Sequence, residues 1–172
     1  MKKILMMAAL VVASVSASAQ VWIGGSLGYD YDKTLGVKTN TITVAPEVGY
    51  NLSDRWAIAL ELDYSVEFGD NPTTNTFAIT PYARWTFFKS GIVGLFVDGG
   101  FNVGAEKTSG ANAQTTWGVG FQPGASIALS PKFSIVTKLG YLGYQHREAL
   151  NSDQFGIGVT NRIVSVGAYY NF

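Results

Sequence analysis

The chain has 172 residues, 12 basic against 12 acidic side chains, 14% charged residues and no cysteine. Charge this sparse and balanced leaves no footprint for a nucleic-acid partner. Without cysteine there is neither a disulfide framework nor a lipidated N-terminal cysteine.

Lys2 and Lys3 open the chain as a positive segment, residues 4–15 are an apolar run, and Ala17-Ser18-Ala19 sets small residues where a signal peptidase reads. The expectation is a secretory signal peptide over residues 1–19, cleaved after Ala19, and one domain over residues 20–172. A transmembrane helix would need ~20 apolar residues, more than this run supplies. Beyond the signal segment, the chain keeps 10 basic against 12 acidic residues, a net charge of −2.

No later stretch repeats apolar residues at helical spacing. The chain instead alternates apolar with small or polar residues, in eight predicted strands. The first sets Ile23, Gly25, Leu27 and Tyr29 against Gly24, Ser26, Gly28 and Asp30. The second opposes Ile42, Val44, Pro46, Val48, Tyr50 and Leu52 to Thr43, Ala45, Glu47, Gly49 and Asn51. In the third, Trp56, Ile58, Leu60, Leu62 and Tyr64 lie opposite Ala57, Ala59, Glu61, Asp63 and Ser65. The fourth opposes Phe77, Ile79, Pro81, Ala83, Trp85 and Phe87 to Ala78, Thr80, Tyr82, Arg84 and Thr86. The fifth has Val93, Leu95, Val97 and Phe101 against Gly94, Phe96, Asp98, Gly100 and Asn102. Strand six runs from Trp117 to Leu129 with Gly118, Gly120, Gln122, Gly124 and Ser126 on its small face. Strand seven sets Phe133, Ile135, Leu139 and Tyr141 against Ser134, Lys138 and Gly140. The last alternates Val164, Val166, Ala168, Tyr170 and Phe172 with Ser165, Gly167, Tyr169 and Asn171.

A soluble sandwich or lipocalin-like barrel alternates too, but it exposes its polar face to water. Here the non-apolar face is mostly Gly, Ala, Ser and Thr, a poor solvent surface and a good lining for a narrow bore. The apolar face is uncharged over about ten residues per strand, matching the ~9–11 residues of a tilted strand in a bilayer. Aromatics sort by height: Tyr50, Trp56, Trp85, Phe87, Phe133, Tyr170 and Phe172 fall at one end of the strands. Tyr29, Tyr64, Phe77, Phe101, Trp117 and Tyr141 fall at the other. Two interfacial girdles have this distribution. The reading is an all-β, eight-stranded antiparallel up-and-down transmembrane β-barrel.

Ser53-Asp54, Lys89-Ser90-Gly91 and Ser130-Pro131-Lys132 read as tight turns, whereas residues 32–40, 69–75, 104–115 and 145–154 read as longer outer loops. Pro46, Pro81 and Pro123 fall mid-strand, where proline is normally excluded because it cannot donate. Their matching places in strands two, four and six point to a hairpin repeat, with a bulge expected at each.

The signal segment, the proline-marked hairpins and the ending Val166-Gly167-Ala168-Tyr169-Tyr170-Asn171-Phe172 resemble the small porin-family outer-membrane β-barrel domain, the OmpX/OmpA-like group. The resemblance covers all of residues 20–172, in pattern rather than in a site motif. It implies the outer membrane of a Gram-negative cell, and a terminal aromatic signal for the barrel-assembly machinery at Tyr170 and Phe172. It also leads to the expectation that no peptidoglycan-binding domain follows Phe172.

His146, the only histidine, falls in the predicted fourth loop. His146-Arg147-Glu148 lacks the serine two residues on that some lipid A deacylases and acyltransferases carry, and Ser152 has no defined geometry. One histidine gives no metal cluster, so no catalytic, cofactor or metal site is assigned. The glycines of Gly118–Gly124 neither follow a strand nor open a helix, so the weak match to a phosphate loop fails. Asn51-Leu52-Ser53 fits a glycosylation pattern but lies at a tight turn.

Glu47, Glu61, Asp63, Arg84, Asp98 and Lys138 form an inward polar cluster, four acids to two bases. The acids in excess must be hydrated, protonated or hydrogen-bonded. Arg162 would sit at the outer interface if the phase slip between Phe155-Ile157-Val159 and Val164 marks a bulge near Asn161. The cluster reads as a structural plug or as an ion gate, and the plug is the better reading because eight strands leave a bore that side chains fill. Tyr82, Phe96 and Tyr169 narrow it further. Three functions follow: a structural or surface-interaction barrel, a small channel or porin, and a lipid A-modifying enzyme. The first leads. Its expected partners are outer-membrane lipids and lipopolysaccharide, the assembly machinery and a host or surface ligand at the outer loops. The expected state is monomeric.

Overall fold

A computed structural model describes residues 20–34, 36–147, 152–158 and 164–172. Its strands in chain order are β1 (Val21–Thr34), β2 (Val37–Asn51), β3 (Trp56–Gly69), β4 (Thr74–Ser90) and β5 (Val93–Thr108). They are followed by β6 (Gln114–Ala128), β7 (Phe133–Leu139), β8 (Tyr141–Arg147), β9 (Ser152–Gly158) and β10 (Val164–Asn171). Consecutive strands pair antiparallel from β1 to β7, and β10 joins β7 to β1 through Trp22↔Asn171 to Leu27↔Val166. That closes a ring of eight. Beyond it, β8 extends the line of β7 along β6, and β9 lies along β8.

Alternation explains the closure. Leu60, Leu62, Ile79, Val103 and Phe121 are exposed on the outside, whereas Ala57, Glu61, Tyr82, Phe96 and Asp98 are buried inside. In water that surface would aggregate. In lipid it is the favourable one, and closure leaves no unpaired edge in the apolar layer. Both aromatic girdles lie outward, from Trp56, Trp85 and Tyr170 at the inner end to Tyr29, Tyr64 and Trp117 at the outer. Two hairpins repeat one clamp there: Tyr29 donates to Asn40 Oδ1 at 2.9 Å, and Tyr64 to Asn75 Oδ1 at 3.0 Å. The side chain of Tyr141 lies outside the described residues.

The inner end carries the turns at residues 52–55, 91–92 and 129–132, together with the described chain ends, where Phe172 N donates to Val21 O at 3.1 Å. Two of these turns share one construction. Ser53 Oγ accepts from Arg55 N and Trp56 N, as Ser130 Oγ does from Lys132 N and Phe133 N.

At the outer end the expected long loops are corrected. β1 and β2 stay paired to Thr34↔Val37, β3 and β4 to Glu67↔Thr74, and β5 and β6 to Glu106↔Gln114. Residues 32–40 and 104–115 are therefore mostly strand, with β-branched Thr that suits a pleated surface, whereas residues 70–73 form the connection expected between β3 and β4. His146 is corrected likewise: it lies in β8, paired with Asp153.

The expected bulges are found at one proline of three. At Pro123 the register passes from Gly124↔Lys138 to Phe121↔Leu142, and the extra residue sits beside Gly140, whose φ of 66° suits glycine. At Pro46 and Pro81 the ladder to the following strand skips Ala45-Pro46 and Thr80-Pro81 and resumes in unchanged register. The other ladder stays intact at all three, because proline lacks only its N–H. A further bulge lies between Thr86 and Phe88. Across the phase slip, the pairs Tyr141↔Gly158 and Leu139↔Val164 leave Gly140 on one strand and residues 159–163 on the other. Arg162 and Asn161 lie outside the described residues, as do residues 1–19.

Candidate functional site

Five of the six predicted interior charges meet at one height. Register sets Glu47 opposite Glu61 and Arg84 opposite Asp98. Lys138 reaches across the bore from β7, its Nζ 2.5 Å from Glu61 Oε2, 3.2 Å from Glu47 Oε2 and 3.9 Å from Asp98 Oδ2. Arg84 grips Asp98 with two parallel bonds of 2.7 and 2.8 Å, the strong bidentate form. Asp63 stands one step outward and accepts from Thr80 Oγ1 at 3.0 Å. The surplus of acid shows in the hydrogen bonds. Glu47 takes Lys138 and the Tyr82 hydroxyl (2.5 Å) on one oxygen, while its buried Oε1 has no partner among the described residues.

Aromatic side chains wall this network. Trp22, Tyr82, Phe96, Val136 and Tyr169 form one buried cluster, with Trp22 stacked on Tyr169 at 4.4 Å. The Arg84 guanidinium lies 3.8 Å over the Phe96 ring and donates to Tyr169 Oη at 3.1 Å. Cation and rings are both removed from water, so the cation–π contact is at the stronger end of its range. Three of the rings occupy space left by a glycine directly across the ladder: Trp22 by Gly49, Tyr169 by Gly24 and Phe96 by Gly124. A Cβ on Gly49 would come within 2.1 Å of Trp22. Gly49→Ala is therefore expected to cost about 1–3 kcal/mol through overpacking. Gly28→Ala, whose Cβ meets nothing nearer than 3.5 Å, should cost little. Urea unfolding from vesicles checks the pair, and equal losses would refute the glycine–aromatic fit.

Sequence reasoning missed Trp22 and Val136. Trp22 shares the parity of Gly24 and Ser26, so beginning strand one a residue earlier finds it.

The arrangement divides the bore. Toward the inner end lies an open cup of ≈590 Å³ bordered by Arg55, Trp56, Lys89 and Ser126, with Trp22, Arg84, Phe96 and Tyr169 above it. Within the charged layer a gap of ≈40 Å³ remains beside Glu61, Asp98, Gln122 and Lys138, enough for water. Among the described residues no group of His, Asp and Glu has metal-holding geometry. His146 packs outward against Trp117 at 5.8 Å, and Tyr144 meets the same indole at 5.2 Å. Tyr170 and Phe172 meet edge to face at 5.3 Å beside the closing seam.

Among solved structures, the chain resembles Neisserial surface protein A, with 16% identity, a TM-score of 0.57, and coverage of 90% of this chain and 98% of that one. It also resembles the N-terminal β-barrel domain of Pseudomonas aeruginosa OprF, with 15% identity, a TM-score of 0.54, and 89% and 98% coverage. The outer membrane protein Ail of Yersinia pestis follows, with 14% identity, a TM-score of 0.51, and 90% and 100% coverage. At these identities the likeness is one of fold. Among curated proteins none matches the sequence significantly. The sequence profile of the outer membrane protein beta-barrel domain matches residues 4–172. Spanning that profile with a closed, lipid-facing ring, the chain belongs to the outer-membrane β-barrel domain family and to the outer membrane of Gram-negative cells.

Proposed function

We propose that this barrel is a structural and surface-interaction protein, neither a diffusion pore nor an enzyme. The observation that carries the reading is the plug. Above the cup, Arg84 is held by Asp98, Tyr169 and the Phe96 face, and Lys138 ties three strands' carboxylates together. A buried network so connected holds one geometry and resists parting. Outside the membrane layer, the paired strand extensions form a stiff polar crown fit to present side chains to a ligand at the cell surface. The barrel works as a monomer, delivered by the assembly machinery through Tyr170 and Phe172. Against catalysis stands the setting of His146, which lies on the outward face against Trp117.

The channel reading draws support from the ≈590 Å³ cup, bordered by Arg84, and the ≈40 Å³ gap, bordered by its partner Asp98. Planar-bilayer recording separates the two. The wild-type barrel is expected to stay at baseline, and a steady ohmic conductance would make it a channel.

A further inference from the structure

The buried charges are divided between two spaces. Arg84 alone of them borders the inner cup, whereas Glu61, Asp98 and Lys138 border the ≈40 Å³ gap. At the mouth of the cup stand Arg55 and Lys89, with Asp54 as the single acid among the described residues around it. Lined by more bases than acids, the cup carries a positive field. Arg84 also keeps donors in reserve. A guanidinium has five N–H donors. Those on Nε and Nη2 go to Asp98, Tyr82 and Tyr169, and Nη1 meets no acceptor among the described residues. The side chain is only 9% exposed, and a donor so enclosed needs an acceptor. Water in the cup would supply one, but water does not account for Lys89.

The backbone sends Lys89 to the same place. In β4, Arg84 and Thr86 face the bore and Trp85 and Phe87 face lipid, so strict alternation would put Lys89 on the lipid side. The bulge between Thr86 and Phe88 changes this, giving Phe88↔Leu95 and Lys89↔Gly94. Gly94 is buried and shares the parity of Phe96 and Asp98, so Lys89 turns inward, onto the cup. A lysine serving the lipid interface belongs on the outward face, where Lys132 lies over Tyr170 at 5.8 Å. Bulges re-aim side chains in this way beside functional sites. The hydroxyls of Thr86, Ser126 and Ser134 also border the cup, and a hydroxyl both donates and accepts. We infer that the inner cup binds a small periplasmic solute with an oxyanion head on a hydroxylated body. The head takes the Nη1 donors of Arg84, and Lys89 and Arg55 steer it in. A cup of ≈590 Å³ accommodates a sugar phosphate or a sugar acid. Phe96, packed on Arg84 at 3.8 Å, closes the seat, so the solute is held and not passed. This site lies at the opposite end of the barrel from the polar crown and does not depend on what the crown binds.

The test uses the full barrel in zwitterionic phosphatidylcholine nanodiscs, titrated calorimetrically with glucose 6-phosphate, glucuronate, glucose and inorganic phosphate. At least one sugar anion should bind, glucose should not, and the tighter anion names the head as phosphate or carboxylate. Inorganic phosphate, which lacks the hydroxylated body, should bind about tenfold more weakly than the tighter sugar anion. Lys89→Gln should lower affinity about fivefold, and Lys89→Gln with Arg55→Gln about twentyfold. Binding should also weaken with salt. Lys132→Gln, beside the outward Tyr170, should bind as wild type. Arg84→Lys keeps the charge and loses the Nη1 donors, so its folded fraction should bind about tenfold more weakly. In NMR spectra of the same discs the anion should shift the indole N–H of Trp22, above the cup, and leave that of Trp117 unmoved. Silence of both sugar anions at ~10 mM, binding of glucose or of inorganic phosphate as tight as theirs, unchanged affinity in the Lys89→Gln/Arg55→Gln variant, or a shift at Trp117 in place of Trp22 would each overturn the assignment.

Discussion

Arg84→Ala is expected to cost the barrel about 3–5 kcal/mol, the loss typical of breaking a buried ion pair from one side, and Glu61→Ala much less. Arg84 supplies both bonds to Asp98, donates to Tyr169, and lies over Phe96. Without it, Asp98 is left with Lys138 Nζ at 3.9 Å, a group already shared by Glu47 and Glu61. One base would then serve four acids in a confined space. Glu61→Ala acts in the opposite sense on the charge balance. It removes one of the surplus carboxylates and ends the direct opposition of Glu61 to Glu47, while Lys138 keeps Glu47 at 3.2 Å. What it gives up is one charge-assisted bond, about 1.5–3 kcal/mol at most and offset by the relieved repulsion. Urea unfolding from lipid vesicles compares the two. Arg84→Lys, which keeps charge but not the bidentate fork, should fall between them. Equal losses, or a larger loss for Glu61→Ala, would show that the acid surplus is not what governs this interior.

Parity makes the inward set legible in the sequence. A two-residue period forces Glu47, Glu61, Arg84, Asp98 and Lys138 onto the small-residue face once Val48, Leu60, Trp85, Val97 and Leu139 face lipid. Partnership was not legible, because it depends on register around the whole ring. Lys138 is far in sequence from Glu47 and Glu61, and only the closing of β10 onto β1 brings β7 within its reach. Glycines such as Gly49 and Gly124 read as packing space, but their dedication to Trp22 and Phe96 emerges only from cross-strand alignment. The outer loops were misread for a compositional reason. Thr, Asn and Lys resemble loop chemistry, yet Thr39-Asn40-Thr41 continues the same alternation as the strand below it, and backbone pairing follows. The shared turn, Leu52-Ser53-Asp54-Arg55-Trp56 and Leu129-Ser130-Pro131-Lys132-Phe133, was present in the sequence as a second hairpin repeat beside the prolines.

Phe96→Ala is expected to turn a closed barrel into a conducting one. Phe96 is the most deeply buried large side chain among the described residues, 1% exposed. It borders the ≈590 Å³ cup, and Asp98, two residues on, borders the ≈40 Å³ gap. Its ring also shields the Arg84 guanidinium at 3.8 Å. Removing the ring extends the cup toward the Arg84–Asp98 pair, admits more water to Arg84 and uncovers a layer with more carboxylates than bases. The resulting current should favour cations, as acidic linings do. The wild type in the same bilayer should stay at baseline. The substitution carries a stability cost of about 3–5 kcal/mol, so folded protein is first verified by heat-modifiable gel mobility. Phe96→Leu, which fills part of the volume, should conduct less. Phe101→Ala, on the outward face at 48% exposure, should not conduct at all. A folded Phe96→Ala barrel that stays silent would place the closure in the Tyr82–Glu47–Lys138 layer, where ion pairs, not the aromatic ring, would then be holding the bore shut.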